Sequence, residues 1–125
     1  MSTTAPLISI IDDDLSVRRA LRRLIQSGGY AVETFASARE FIDAFPRLRT
    51  ACLVLDIHLD GMGGFDLQAR LAGDGAGIPI IFMTAHDDAT ARERARRSGA
   101  VAYLPKPFDK HALLDAIQKA LRPSS

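Results

Sequence analysis

The chain contains a single cysteine, Cys52, in 125 residues. It cannot form an internal disulfide, which fits a reducing compartment, so a cytoplasmic protein is expected. No apolar run approaches the roughly 18 residues a membrane span requires, and no membrane association is expected. The start, Met1-Ser2-Thr3-Thr4-Ala5-Pro6, has neither a basic region nor a long apolar stretch. No secretory leader is therefore expected. Charge of either sign is in short surplus: 16 basic against 15 acidic residues leave a net charge of +1. A dedicated nucleic-acid binder carries a larger excess, so no direct nucleic-acid contact is expected of this domain. What is present is ordinary for a globular chain. Hydrophobic residues at 47% and charged residues at 25% exclude disorder and collagen. The length is that of one domain, residues 1–125.

One rhythm repeats along the chain. Leu7 to Ile11 is a short β-branched run stopped by acidic residues, as a strand is. Val17, Ala20, Leu21, Leu24 and Ile25 fall at helical spacing, and Gly28-Gly29 ends that helix. Ala31 to Phe35 reads as a second strand. Ser37 can cap a helix carrying Phe41, Ile42 and Phe45, halted at Pro46. Ala51 to Leu55 is wholly apolar, as expected of a strand buried on both faces. A helix over Phe65 to Ala72, the loop 73–77 and a strand over Ile78 to Met83 follow. Pro79 is tolerable near that strand's start. Asp87 to Ser98 is helical but offers mainly Ala91 and Ala95 for packing, and Gly99 ends it. Val101 to Leu104 is a fifth strand, and Leu113, Ala116, Ile117, Ala120 and Leu121 give a last helical stripe. Five strands alternating with five helices predict an α/β fold with a doubly wound parallel sheet.

In such a sheet, ligands bind outside the carboxyl ends of the strands, where strand order reverses. The residues after each strand are therefore the candidates: Asp12, Asp13 and Asp14; Asp56; Thr84; and Lys106. Taken singly, an Asp there reads as a helix cap or turn residue, and a Lys as solvated. Four strand ends carrying one consistent set is a different matter. Clustered carboxylates repel, and one holds a proton unless a cation joins them. An all-oxygen set suits Mg²⁺. A hydroxyl and an ammonium facing that ion suit a transferring phosphoryl group, whose chemistry is mostly positioning and charge neutralisation.

Four motifs stand in order: Ile10-Ile11-Asp12-Asp13-Asp14, Leu53-Val54-Leu55-Asp56, Met83-Thr84-Ala85 and Tyr103-Leu104-Pro105-Lys106-Pro107-Phe108. With them the chain resembles a response-regulator receiver domain of two-component signalling, of the FixJ-like and CheY-like kind, over about residues 7–121. The resemblance implies a flavodoxin-like (βα)5 fold with strand order 2-1-3-4-5. It implies that Asp56 accepts a phosphoryl group from a sensor histidine kinase or a phosphotransfer protein, in a phosphorelay that requires Mg²⁺ (or Mn²⁺). Asp13 and Asp56 would ligate the ion directly, Asp12 through an intervening water, and His58 through its backbone carbonyl. Thr84 and Lys106 would hold phosphoryl oxygens, and Tyr103 would turn inward with Thr84. The Lys106-Pro107 bond would be cis, which only X-Pro makes cheap. Asp14 would cap the first helix. Such a domain is not an enzyme in the usual sense, since it acts only on its own phosphorylation and dephosphorylation.

The phosphoryl group would add roughly −1.5 to −2 charges to the cleft, and something bistable must respond. The weakly held fourth helix is the candidate, so helix 4, strand 5 and helix 5 are expected to form the output surface and a homodimer contact. Two arginine groups are solvated faces on the plain reading: Arg18, Arg19, Arg22 and Arg23, and Arg92, Arg94, Arg96 and Arg97. The sharper reading gives the first a role in kinase docking and the second a role in salt-bridged dimerisation. Asp60 stands where this family commonly has Pro, which is expected to loosen loop 60–64. His58 and His86, two residues beyond Asp56 and Thr84, are expected to tune dephosphorylation, or merely to line the rim.

Rival classes fit less well. A haloacid-dehalogenase-like phosphatase wants a second Asp two residues after the first, where His58 stands, and a cap insertion. A flavodoxin-like electron carrier must cradle phosphate in its first loop, which three aspartates would repel. Only Arg122-Pro123-Ser124-Ser125 follows Leu121, with no run of charge to start a linker, so a stand-alone receiver is expected rather than the N-terminal receiver fragment of a DNA-binding transcriptional regulator.

Overall fold

The computed structural model describes residues 5–75 and 77–122. The readings made on Met1–Thr4, on Ala76 of loop 73–77 and on Pro123–Ser125 lie outside these residues. Five strands are present among them: β1 (Leu7–Ile11), β2 (Ala31–Phe35), β3 (Thr50–Asp56), β4 (Ile80–Thr84) and β5 (Ala102–Pro105). They alternate with α1 (Leu15–Ser27), α2 (Ala38–Ala44), α3 (Gly64–Gly73), α4 (Ala89–Arg97) and α5 (Lys110–Leu121). All pairings are parallel, in the order β2-β1-β3-β4-β5. This is the doubly wound, flavodoxin-like sheet.

Alternation along the central strands divides the interior in two, because successive side chains point to opposite faces. Ile8 and Ile10 of β1, with Cys52 and Val54 of β3, pack against Leu21 and Ile25 of α1 and Leu113, Ala116 and Ile117 of α5. Ile11, Leu53 and Leu55 face the other way, onto Phe41 of α2, Leu67 and Leu71 of α3 and Ala95 of α4. Burying each large aliphatic side chain contributes roughly 1.5–3 kcal/mol. Helix α4 buries only Ala95, so it has the least of this anchorage.

The ends of the elements differ from the expected ones for local reasons. The Ser37 hydroxyl accepts from Glu40 N–H and caps α2, which stops at Ala44. Pro46 sits inside a 3₁₀ turn, Phe45–Arg47, where its missing N–H costs nothing. Pro79 falls before β4 rather than within it, although its carbonyl still accepts from Leu53 N–H at 3.0 Å. Asp56 and Thr84 are the last residues of β3 and β4 rather than the first beyond them, and β5 runs to Pro105, so Lys106 follows it directly. The fourth helix is shorter than expected because Asp88 is its cap, accepting from Ala91 N–H, and Ser98 closes it.

Candidate functional site

Strand register sets the site. Ile11 lies opposite Leu55, Asp56 opposite Met83, and Thr84 opposite Pro105. The carboxyl ends of β1, β3, β4 and β5 therefore finish level. Asp12, Asp13, Asp14, Asp56, His58, His86 and Lys106 line one cavity of about 290 Å³, together with Val17 and Ala85.

Within it, Asp12 and Asp56 are buried and Asp13 is exposed. One carboxylate oxygen from each of the three lies within 4.8 Å of the others. Lys106 Nζ donates to Asp12 Oδ2 at 2.8 Å and to Asp56 Oδ2 at 3.4 Å. Backbone N–H groups hold the opposite edges of these carboxylates: Asp14 N donates to Asp12 Oδ1 and His58 N to Asp56 Oδ1, each at 2.9 Å. Burial pushes the Asp56 carboxyl up and the Asp12 charge adds to that; the His58 N–H and Lys106 pull it back, and the balance stays above the ordinary value. Burial alone would lower Lys106, but the Asp12 and Asp56 carboxylates outweigh it and hold its pKa above normal. One ammonium thus faces a crowded set of carboxylates.

Thr84 is fully buried and reaches the cavity only through its neighbour: its Oγ1 accepts from His86 N–H at 2.9 Å. The turn after β4 repeats the turn after β3, where Asp56 Oδ1 takes the N–H two residues on. His58 and His86 are both exposed, with ring centroids 5.5 Å apart. The Lys106-Pro107 peptide bond is cis. Asp14 does cap α1, accepting from Ser16 and Val17 N–H.

Tyr103 is not among the cavity's lining residues. Its ring lies beneath the Arg92 guanidinium, 5.2 Å from its centroid. Its hydroxyl is shut off from water without a hydrogen-bond partner, and burial together with the nearby Asp87 carboxylate raises its pKa. Arg18 has a role its sequence position did not suggest. Its Nη1 donates to the Asp12 backbone carbonyl at 2.7 Å, so it turns inward from the arginine face of α1. The only sequence signal is its place one helical turn beyond Asp14. Three of the second arginine group pair with nearby carboxylates, Arg92 with Asp87 at 2.6 Å and Arg96 and Arg97 with Glu93, while Arg94 lies over the Phe65 ring of α3. Loop 60–64 is held at its two ends. Leu59 is buried, Gly64 N–H donates to the Ile57 carbonyl at 3.1 Å and Gly63 N–H to Asp66 Oδ2 at 3.3 Å.

Carboxylates at two adjacent strand ends, a hydroxyl at the third and a lysine at the fourth are what the sequence of strand ends promised. The response regulator receiver domain family matches residues 8–118. The chain belongs to that family. Receiver domains are the phospho-acceptors of two-component systems, signalling modules rather than enzymes in the usual sense. This receiver is 43% identical over 119 residues to Nodulation protein W of Bradyrhizobium diazoefficiens, covering 95% of the chain and 52% of that protein. It is 38% identical over 120 residues to the transcriptional regulatory protein FixJ of the same organism, covering 96% and 58%. The crystal structure of FixJ-N superposes with a TM-score of 0.87 at 31% identity, covering 95% of each chain. The receiver spans about half the length of the curated relatives it matches. Among the described residues, no helix is long and apolar enough to cross a membrane.

Proposed function

We propose that Asp56 is the phosphoryl acceptor of this receiver and that Asp12, Asp13 and Asp56 hold Mg²⁺ (or Mn²⁺) beside it. The observation that carries the reading is the carboxylate trio within 4.8 Å, closed on one side by Lys106. The donor set fits a hard cation, because it is all oxygen and because burial, with the Asp12 charge added to it, holds Asp56 above its normal pKa where no cation joins it. The His58 backbone carbonyl would complete the set. When bound, the ion neutralises charge on the transferring phosphoryl oxygens.

The chain's own residues do the rest. A carboxylate oxygen of Asp56 attacks phosphorus, the bond from phosphorus to the donor nitrogen of a histidine kinase or phosphotransfer protein breaks, and the donor imidazole leaves with that electron pair. Lys106, within reach of the Asp56 carboxylate, pairs with a phosphoryl oxygen. Thr84 exchanges its bond to His86 N–H for a bond to another, and this draws on the turn leading to α4. Tyr103 and the lightly anchored α4 pass the change to the α4–β5–α5 face, the surface for an output partner or a second copy. His58 and His86 stand where they meet water approaching the acyl phosphate and set its lifetime. The receiver works in the cytoplasm, where its single thiol stays reduced.

A second reading has one observation behind it. Its curated relatives are about twice as long, and FixJ is named a transcriptional regulatory protein. In a chain of that length this domain would govern an attached DNA-binding segment.

The test is to incubate the protein with Mg²⁺ and acetyl phosphate and weigh it intact beside an Asp56→Ala variant. A single phosphoryl adduct, prevented by EDTA and absent from the variant, is the expected result. An adduct that persists in the variant would overturn the assignment of Asp56.

A further inference from the structure

Two imidazoles stand at the mouth of the acidic cavity, and the transfer of the phosphoryl group to Asp56 uses neither side chain. His58 and His86 come from different strand ends, yet their rings lie 5.5 Å apart at an interplanar angle of 79°. Both line the cavity shared by Asp13 and Asp56. The backbone beneath each is pinned by the same device: His58 N–H to Asp56 Oδ1 and His86 N–H to Thr84 Oγ1, both at 2.9 Å. Their Cα positions are thereby set while the rings stay exposed and free to turn.

We propose that His58 and His86 together bind one divalent transition-metal ion of the Zn²⁺ class, in addition to the hard-cation site in the carboxylates. Two imidazoles sharing one tetrahedral ion at about 2.0–2.1 Å per nitrogen place their centroids about 5 Å apart. The observed 5.5 Å needs little beyond rotation of exposed rings. Imidazole nitrogen selects Zn²⁺, Cu²⁺ or Ni²⁺ over Mg²⁺, which prefers oxygen and gives up water reluctantly. The neighbouring carboxylates favour any cation there by charge, and Lys106 opposes it little because its ammonium is turned onto Asp12 and Asp56. An ion at this position sits across the opening through which a phosphodonor must reach Asp56. The binding claim concerns the two side chains alone and stands whether or not Asp56 is the phosphoryl acceptor.

Zn²⁺ binding is measured by calorimetry with Mg²⁺ in excess, using the full chain and its His58→Ala, His86→Ala, double and His111→Ala variants. Alanine keeps the backbone carbonyl at 58, and both side chains are exposed, so the fold is retained; circular dichroism verifies this. One Zn²⁺ per chain is expected, weakened about tenfold or more by removal of either histidine, since each ligand carries a share of the site's binding free energy. The exposed His111 on α5 is the control, and its removal changes nothing. Affinity unchanged in the double variant would place the ion in the carboxylates alone and overturn the proposal. So would a loss confined to one of the two single variants, or a loss on removing His111.

Discussion

Lys106 Nζ lies 2.8 Å from Asp12 Oδ2, a contact between residues 94 apart in the chain. Asp12 is 1% exposed and the lysine side chain 21%, so the pair is largely withdrawn from water. It joins the first strand end to the last across the whole face where the site is built.

Removing the ammonium leaves Asp12 and Asp56 facing each other with no cation from the protein. A lone charge left in a buried pair costs several kcal/mol. The partial exposure of Lys106 reduces that, and Lys106→Ala is expected to lose about 1–3 kcal/mol in EDTA. Urea unfolding measures it, and added Mg²⁺ should return part of the loss. An equal loss with and without Mg²⁺ would count against the ion's place among these carboxylates.

Asp56 gives stability a pH dependence of definite sign. Its folded pKa lies above the ordinary 3.8, so the folded chain holds the proton more tightly than the unfolded one. Stability then falls as pH rises from about 3.8 through the raised value. Asp56→Asn removes this term. In EDTA at neutral pH the variant should unfold at higher urea than the parent, and the advantage should vanish below the ordinary carboxylate pKa. Mg²⁺ should narrow it at neutral pH.

Gly64, the first residue of α3, faces the main chain of the acceptor strand. A Cβ there would meet the Asp56 carbonyl oxygen at 2.8 Å and Ile57 Cα at 3.0 Å. Neither is the end of a flexible side chain. Gly64→Ala should cost about 1–3 kcal/mol through backbone displacement, visible as a lower urea midpoint.

The Asp14 cap can be tested alone. Its side chain takes the N–H groups of Ser16 and Val17, and Asp14→Ala should cost about 1 kcal/mol. Thermal unfolding of the two proteins gives the difference.

Cys52 is fully buried in β3, and burial pushes its thiol pKa up to about 12. At pH 8 the thiolate fraction is then on the order of one part in 10⁴. A thiol reagent should leave the native protein unmodified and react fully in denaturant. Rapid native labelling would show that the β3 environment opens.

The fold was legible because its signals are local. The wholly apolar Ala51–Leu55 read as a strand covered on both faces, and the α1 and α5 stripes announced their buried sides. The strand ends named the candidate site residues, since a parallel sheet gathers such residues at one edge. The element boundaries were less legible, because the last hydrogen bond of a strand depends on its neighbour: β4 begins at Ile80 and runs to Thr84 through pairing with β3 and β5.

Arg18 and Tyr103 mark the division most clearly. The sequence put Arg18 on an arginine face, but the rotation of α1 and the reach of its side chain turned the guanidinium onto the Asp12 carbonyl. Tyr103 belonged to the site by its motif, whereas packing under Arg92 carried its hydroxyl away toward Asp87. Residue type and order along the chain determined which chemistry could assemble, because strand periodicity and turn chemistry act over a few residues. Which atoms meet was decided only by the tertiary structure, because the contacts of Lys106 with Asp12 and of His58 with His86 exist only when separate strands lie side by side.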